Sequence, residues 1–229
     1  MDVLEKIFGS AAKVKIMRLF LFNPNTPFDL AKIVERARIT PQATRINVRL
    51  LENAHLIRPR TFVKEVKKAE NAGRTENGEK WRKKSGTGNK IGGQGHKPAA
   101  VRKRVRGWIL NENFAYITPL QSFLVQASPL QDQIIIRKFN RTGKIKLLII
   151  SGVFIQERDS RVDILVVGDG LRRGTIDTTI KDMEAELGKD IAYSVFETKD
   201  FQYRLGMYDK LIRDILDYPH KKLVNRLGL

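Results

Sequence analysis

Residues 67–100, KKAENAGRTENGEKWRKKSGTGNKIGGQGHKPAA, carry no apolar periodicity. Gly, Lys, Asn and Glu dominate them, a composition that cannot bury enough apolar surface to form a core. Any core must therefore be assembled from the segments before and after. The stretch reads as a mobile basic loop between two alternating runs, Thr61–Val66 and Val105–Leu110, which can pair as a hairpin. Its later glycines (Gly86, Gly88, Gly92, Gly93 and Gly95) are not followed by the Gly-Lys-Ser/Thr of a phosphate-cradling loop.

The hairpin also concentrates charge. The 229 residues hold 43 Lys+Arg against 25 Asp+Glu, a net +18. Residues 58–106 carry 16 basic and 4 acidic groups, so about two thirds of the excess lies in 49 residues; residues 151–229 carry 13 and 14 and are nearly neutral. That asymmetry predicts one part facing a polyanion and another with a separate task. With 41% hydrophobic residues the chain can fill a core. Its longest apolar run, Leu147–Ile155, is half a membrane span and contains Ser151 and Gly152. The start, MDVLEKIFGS, lacks the pattern of a secretory signal. Cysteine is absent, which excludes disulfides, thiolate metal sites and thiol catalysis. The expectation is a cytoplasmic, nucleoid-associated protein with no membrane partner.

Before the hairpin, the periodicity predicts three helices. Residues 10–22 form one, capped by Ser10 and ended by Asn23-Pro24-Asn25. A second runs from Pro27 to Arg36 with Thr26 as cap and Leu30, Ile33 and Val34 inward. After Ala37-Arg38-Ile39, Thr40 caps a third, with Pro41 at its first position, running to Asn53. On this helix Ala43, Ile46 and Leu50 are expected on one side, Gln42, Arg45 and Arg49 on the other, and Thr44 at the edge. Taken as the inner side, the first set leaves a Gln/Thr/Arg face able to bond phosphates and base edges. The same periodicity also suits a three-helix core whose polar face is merely solvated.

This part, in FGSAAKVKIMRLFLFNPN and TPFDLAKIVERARITPQATRINVRLLENAHLI, resembles the winged-helix domains of bacterial and archaeal transcription regulators. The resemblance covers roughly residues 4–58 and 101–115 and implies a DNA-binding fold acting as a homodimer. The enlarged hairpin loop departs from the compact wing of that family.

Beyond a connecting segment with a helix near Leu120–Ala127, strand and helix patterns alternate. Strands are expected at Lys144–Phe154, Arg161–Gly168 and Ile191–Glu197, with a short edge strand at Leu223-Val224; helices at Thr175–Leu187 and Phe201–Tyr218. Residues 144–229 look like the minimal nucleotidyltransferase domain. In that family a Gly-Ser pair holds nucleotide phosphates and three carboxylates hold two Mg²⁺. Here Gly152 matches the glycine, but Val153 stands in place of the serine. Asp163 matches the second carboxylate, while Arg161 replaces the first and Tyr193-Ser194-Val195-Phe196 offers no third. A guanidinium at ~4 Å would oppose each unit of charge on a metal cation by about 4 kcal/mol at an effective dielectric of 20. Gly152 and Asp163 are therefore expected to be vestiges of a lost site, with no catalytic residue and no bound metal. The groove is left open as a place for a nucleotide or Mg²⁺. Arg161, Arg172 and Arg173 could hold phosphate or be solvated.

Three further features have ordinary readings. Gly168–Gly174 is a strand-to-helix turn without the dinucleotide-binding spacing. His55, His96 and His220 show no metal spacing. Trp108, Phe114 and Tyr116 suit core packing better than base stacking.

The sequence thus predicts an α+β chain of two domains. Residues 1–118 form a winged helix-turn-helix with residues 67–100 as an extended basic wing, 119–143 a connecting helix and linker, and 144–229 a small α/β nucleotidyltransferase-like domain. The expected partner is double-stranded DNA. Gln42, Thr44, Arg45 and Arg49 would contact bases, and Lys64, Lys67, Lys68, Arg102, Lys103 and Arg104 phosphates. The alternatives are a Mg-dependent nucleotidyltransferase acting on nucleic acid or protein, and a non-specific RNA- or nucleoid-binding protein.

Overall fold

The computed structural model describes residues 3–66, 101–126, 130–157 and 160–229. It is an α+β chain with helices and two sheets. No described helix is long and apolar enough to cross a membrane. The chain divides into two units: residues 1–60 together with 107–229, and residues 61–106.

The helical part of the first unit begins with α1 (Val3–Phe8) and α2 (Ala11–Leu21). The Ser10 hydroxyl caps α2 by accepting from the Lys13 amide at 3.3 Å, as its sequence position predicts. α3 (Leu30–Ala37) starts three residues later than expected from Thr26-Pro27. The amide and carbonyl of Phe28 instead pair with those of Trp108, both at 2.9 Å, and the Asp29 carboxylate caps the helix through the Lys32 amide at 2.7 Å. α4 (Pro41–Asn53) has the predicted bounds and cap. Val14, Met17, Phe20, Phe28, Ile33, Val48 and Leu51 fill the core between these helices, with the rings of Phe20 and Phe28 edge to face at 5.5 Å.

β1 (Ile57–Val66) and β2 (Val101–Leu110) form a two-stranded sheet, as predicted, each longer than its alternating run. The inner ends, Ile57 and Ile109-Leu110, are buried. α5 (Ile117–Gln126) follows, and Phe114, Ile117 and Leu120 pack on the helical core. Trp108 packs there too, its indole N–H donating to Glu52 Oε2 at 2.9 Å, whereas Tyr116 is exposed. The basic loop at 67–100 lies outside the described residues.

The second sheet has the order β5-β4-β3-β6, from β3 (Lys144–Ile150), β4 (Ile164–Asp169), β5 (Tyr193–Glu197) and β6 (Lys221–Asn225). β3 is antiparallel to β4 and β6, and β4 is parallel to β5. β3 and β4 are covered on both sides, which explains their nearly unbroken apolar sequence. Leu148, Ile150, Ile164 and Val166 pack on α6 (Asp132–Phe139) and α7 (Arg173–Leu187). Leu147, Ile149, Leu165 and Val167 pack on α8 (Thr198–Gly206) and α9 (Lys210–Asp217).

Several expected boundaries change. β3 stops at Ile150, where the chain turns through a short 3-10 segment at Gly152–Phe154. β4 begins at Ile164 and β5 at Tyr193, later than expected. α6 fills part of the expected linker. The single helix expected over Phe201–Tyr218 is two, because Tyr208 takes a left-handed φ of 54° and Asp209 caps α9 through the amides of Leu211 and Ile212.

Candidate nucleic-acid interface

α4 is built from local signals. Thr40 Oγ1 accepts from the Ala43 amide at 3.2 Å, and Pro41 sits where the helix needs no donor. Thr44, Asn47, Val48 and Leu51 form its buried side. The two polar members are satisfied within the helix: Thr44 Oγ1 donates to Thr40 O at 2.9 Å and Asn47 Nδ2 to Ala43 O at 2.8 Å. Thr44 is therefore fully buried, which corrects its expected place on the outer face. Ile46 and Leu50, expected inside, are 54% and 47% exposed.

The solvent side is thus rotated from the expected one. It consists of two i,i+4 ridges, Gln42–Ile46–Leu50 and Arg45–Arg49–Asn53, all exposed. Gln42, Arg45 and Arg49 lie where the sequence places them, and their side chains bond to no other described residue. Ile46, Leu50 and Asn53 join them unforeseen. The signal that finds them is the 100° step itself, which sets Ile46 and Leu50 beside Gln42 and gathers Thr44, Asn47, Val48 and Leu51 on the far side.

α3 and α4 are joined by three residues, with Arg38 left-handed at φ 51°. Both α2 and α3 dock on the C-terminal half of α7. Arg18, 1% exposed, donates to Glu186 O at 3.0 Å, and Asn23 Nδ2 donates to Gly188 O at 2.7 Å, so two carbonyls at the end of α7 are satisfied from α2 and its exit. Gly188, at φ 74°, lets the backbones meet, since a Cβ there would lie 2.5 Å from the Arg18 carbonyl carbon. Lys15–Glu186 at 2.8 Å, Arg38–Asp182 at 3.0 Å and Arg36–Asp190 are ion pairs across the same seam. A cleft of about 380 Å³ beside it is lined by Lys32, Glu35, Arg36, Arg38, Lys181 and Glu184. Lys32 there pairs with Glu35.

In the second unit, Arg102, Lys103 and Arg104 are exposed and Lys64 is half-buried. Lys67 and Lys68 lie outside the described residues.

The corner between β3 and β4 holds Gly152 and Asp163. Asp163, 8% exposed, accepts from the Val153 amide through Oδ1 and from the Ala192 amide through Oδ2, each at 2.8 Å. The carboxylate thus ties the 3-10 turn to the entry of β5. Gly152 has φ 54°, and a Cβ there would collide with Asp163 Oδ1. Ser151 donates to Val162 O, and Ser160 Oγ accepts from the Gly152 amide at 3.1 Å. Arg161 pairs with Asp214 of α9 at 2.9 Å, and Arg172 donates to Arg141 O at 2.7 Å. Arg173 is exposed. The cavity among Ser151, Ser160, Arg161, Asp214 and Tyr218 measures about 10 Å³, space for about one water. These residues do not fit a two-metal nucleotide site: the remaining carboxylate is engaged by backbone amides, and the neighbouring cation by α9. No group of three His, Asp or Glu side chains among the described residues could hold a metal ion.

The displaced titrations have surface causes. Its hydrogen bond to Asp177 and partial burial raise the Tyr193 phenol, and Asp200 raises Arg204. Neither group belongs to α4 or to the β3–β4 corner.

No protein-family model, no curated protein and no solved structure matches the chain.

Proposed function

We propose that the chain is a sequence-specific DNA-binding regulator, with a winged helix-turn-helix in its N-terminal half and a non-catalytic nucleotidyltransferase-like part serving as sensor or dimerisation module. The observation that carries this reading is the outer side of α4, where Gln42, Arg45 and Arg49 are exposed and bond to no other described residue on a capped helix. Their chemistry suits base edges: Gln bonds adenine in two places, and Arg bonds guanine. The cations of residues 58–106 supply attraction to phosphate without sequence preference.

The three-residue turn between α3 and α4 supports the helix-turn-helix reading, and the paired β1 and β2 after α4 support the wing. The engaged Asp163 and the closed corner support a non-catalytic role for the sheet.

Selection of bound fragments from random duplex DNA tests the proposal. A recovered palindrome supports both base reading and a dimer; fragments without common sequence leave a non-specific nucleic-acid binder. If about 6–8 phosphates are contacted, the logarithm of affinity falls against the logarithm of salt with a slope of roughly −5 to −7, and a flat titration refutes phosphate contact.

A further inference from the structure

The outer side of α4 carries two aliphatic side chains that the proposed function does not use. Ile46 and Leu50 are about half exposed, stand one turn apart, and belong to none of the core clusters. Isolated exposed aliphatic groups are ordinary. These two are adjacent on one ridge, follow Gln42 on it, and run beside the ridge of Arg45 and Arg49.

The charges choose between the surfaces that could cover them. Two copies of the chain packed through this side would bring four guanidiniums into one contact. The helix's one carboxylate, on Glu52, already accepts from the Trp108 indole. Like charges in that position oppose association. A polyanion removes the conflict, and the DNA major groove offers both parts of the match: phosphates and base edges for the arginines, and thymine methyl groups for aliphatic side chains.

We infer that Ile46 and Leu50 contact thymine methyl groups in the major groove, so that the bound site carries A·T pairs beneath the middle of α4. Gln42, one turn before Ile46, supplies the amide that bonds adenine, and the Gln42–Ile46–Leu50 ridge reads A·T pairs through hydrogen bond and methyl contact together. This inference rests on the DNA-binding reading above and adds which bases the helix selects.

Replacing thymine with deoxyuridine in a selected duplex provides the test. The substitution removes only the methyl group and keeps the pairing and the O4 acceptor. The full chain is expected to bind the deoxyuridine duplex roughly fourfold more weakly for each methyl contacted, the equivalent of about 0.8 kcal/mol per buried carbon. Ile46→Ala is expected to weaken binding to the thymine duplex by a similar factor and to respond less to the replacement, a coupling that a double-mutant cycle measures. Leu50→Ala provides the same readout at the second position. Equal affinity of the unaltered chain for both duplexes overturns the inference and leaves the regulator reading standing. Failure to bind any duplex overturns that reading itself. A dimer in the absence of DNA that Ile46→Ser with Leu50→Ser dissolves also overturns the inference, because the ridge then belongs to a second copy.

Discussion

α4 and the β3–β4 corner both carry polar side chains where a chemical role is the natural first reading, and they dispose of them in opposite ways. At the corner, Asp163 is buried and both its oxygens accept backbone amides, Ser151 bonds a carbonyl, and Arg161 is held by α9. On α4, Gln42, Arg45 and Arg49 reach solvent and bond to no other described residue. The contrast recurs within α4 itself, where Thr44 and Asn47 are turned inward onto carbonyls of their own helix. Residue type therefore does not tell the two places apart. What differs is whether the hydrogen bonds are already closed inside the protein.

Substitutions at the two places should separate stability from binding. The largest stability loss is expected at the corner. Asp163→Ala leaves two amides without their acceptor, a loss of about 3 kcal/mol or a melting temperature lower by roughly 6–12 °C. Gly152→Ala forces a Cβ into the same carboxylate and should cost at least as much. Thermal unfolding without change in either variant would return Asp163 to the list of candidate ligands. Next, Arg45→Ala and Arg49→Ala should each lower affinity for the selected duplex about tenfold while changing stability by less than about 0.5 kcal/mol. If calorimetry shows them as damaging as Asp163→Ala, the arginines are structural and the contrast fails. Smallest of all is Thr44→Val, which removes one hydroxyl bond to a carbonyl that also accepts the Thr44 amide. It should cost about 0.5–1 kcal/mol and leave the selected sequence unchanged. A shifted sequence would place Thr44 among the reading residues after all.

Local signals were legible where a short stretch settles the outcome by itself. Ser10 and Thr40 cap the helices their positions announce, and Pro41 stands at the first position of α4. The alternation in β1 and β2 gave their pairing. Signals that depend on distant partners were not. Thr26-Pro27 has the form of a helix start, yet Phe28 is drawn into backbone pairing with Trp108, and the start passes to Asp29. The apolar stripe over Phe201–Tyr218 continues across a break at Tyr208 that depends on a backbone torsion and the Asp209 cap. On α4, apolar character alone pointed Ile46 and Leu50 inward. The 100° step instead gathers Thr44, Asn47, Val48 and Leu51 on the inner side, where Thr44 and Asn47 close their bonds on the preceding turn, and leaves the aliphatic pair outside.

Arg18 and the Glu186 carbonyl that receives it are 168 residues apart in the chain. At about 5–20 residues per second, a ribosome delivers the guanidinium roughly ten to thirty seconds before its acceptor exists. The scaffold behind α4 is therefore completed late in translation, by the arrival of the helix against which it rests.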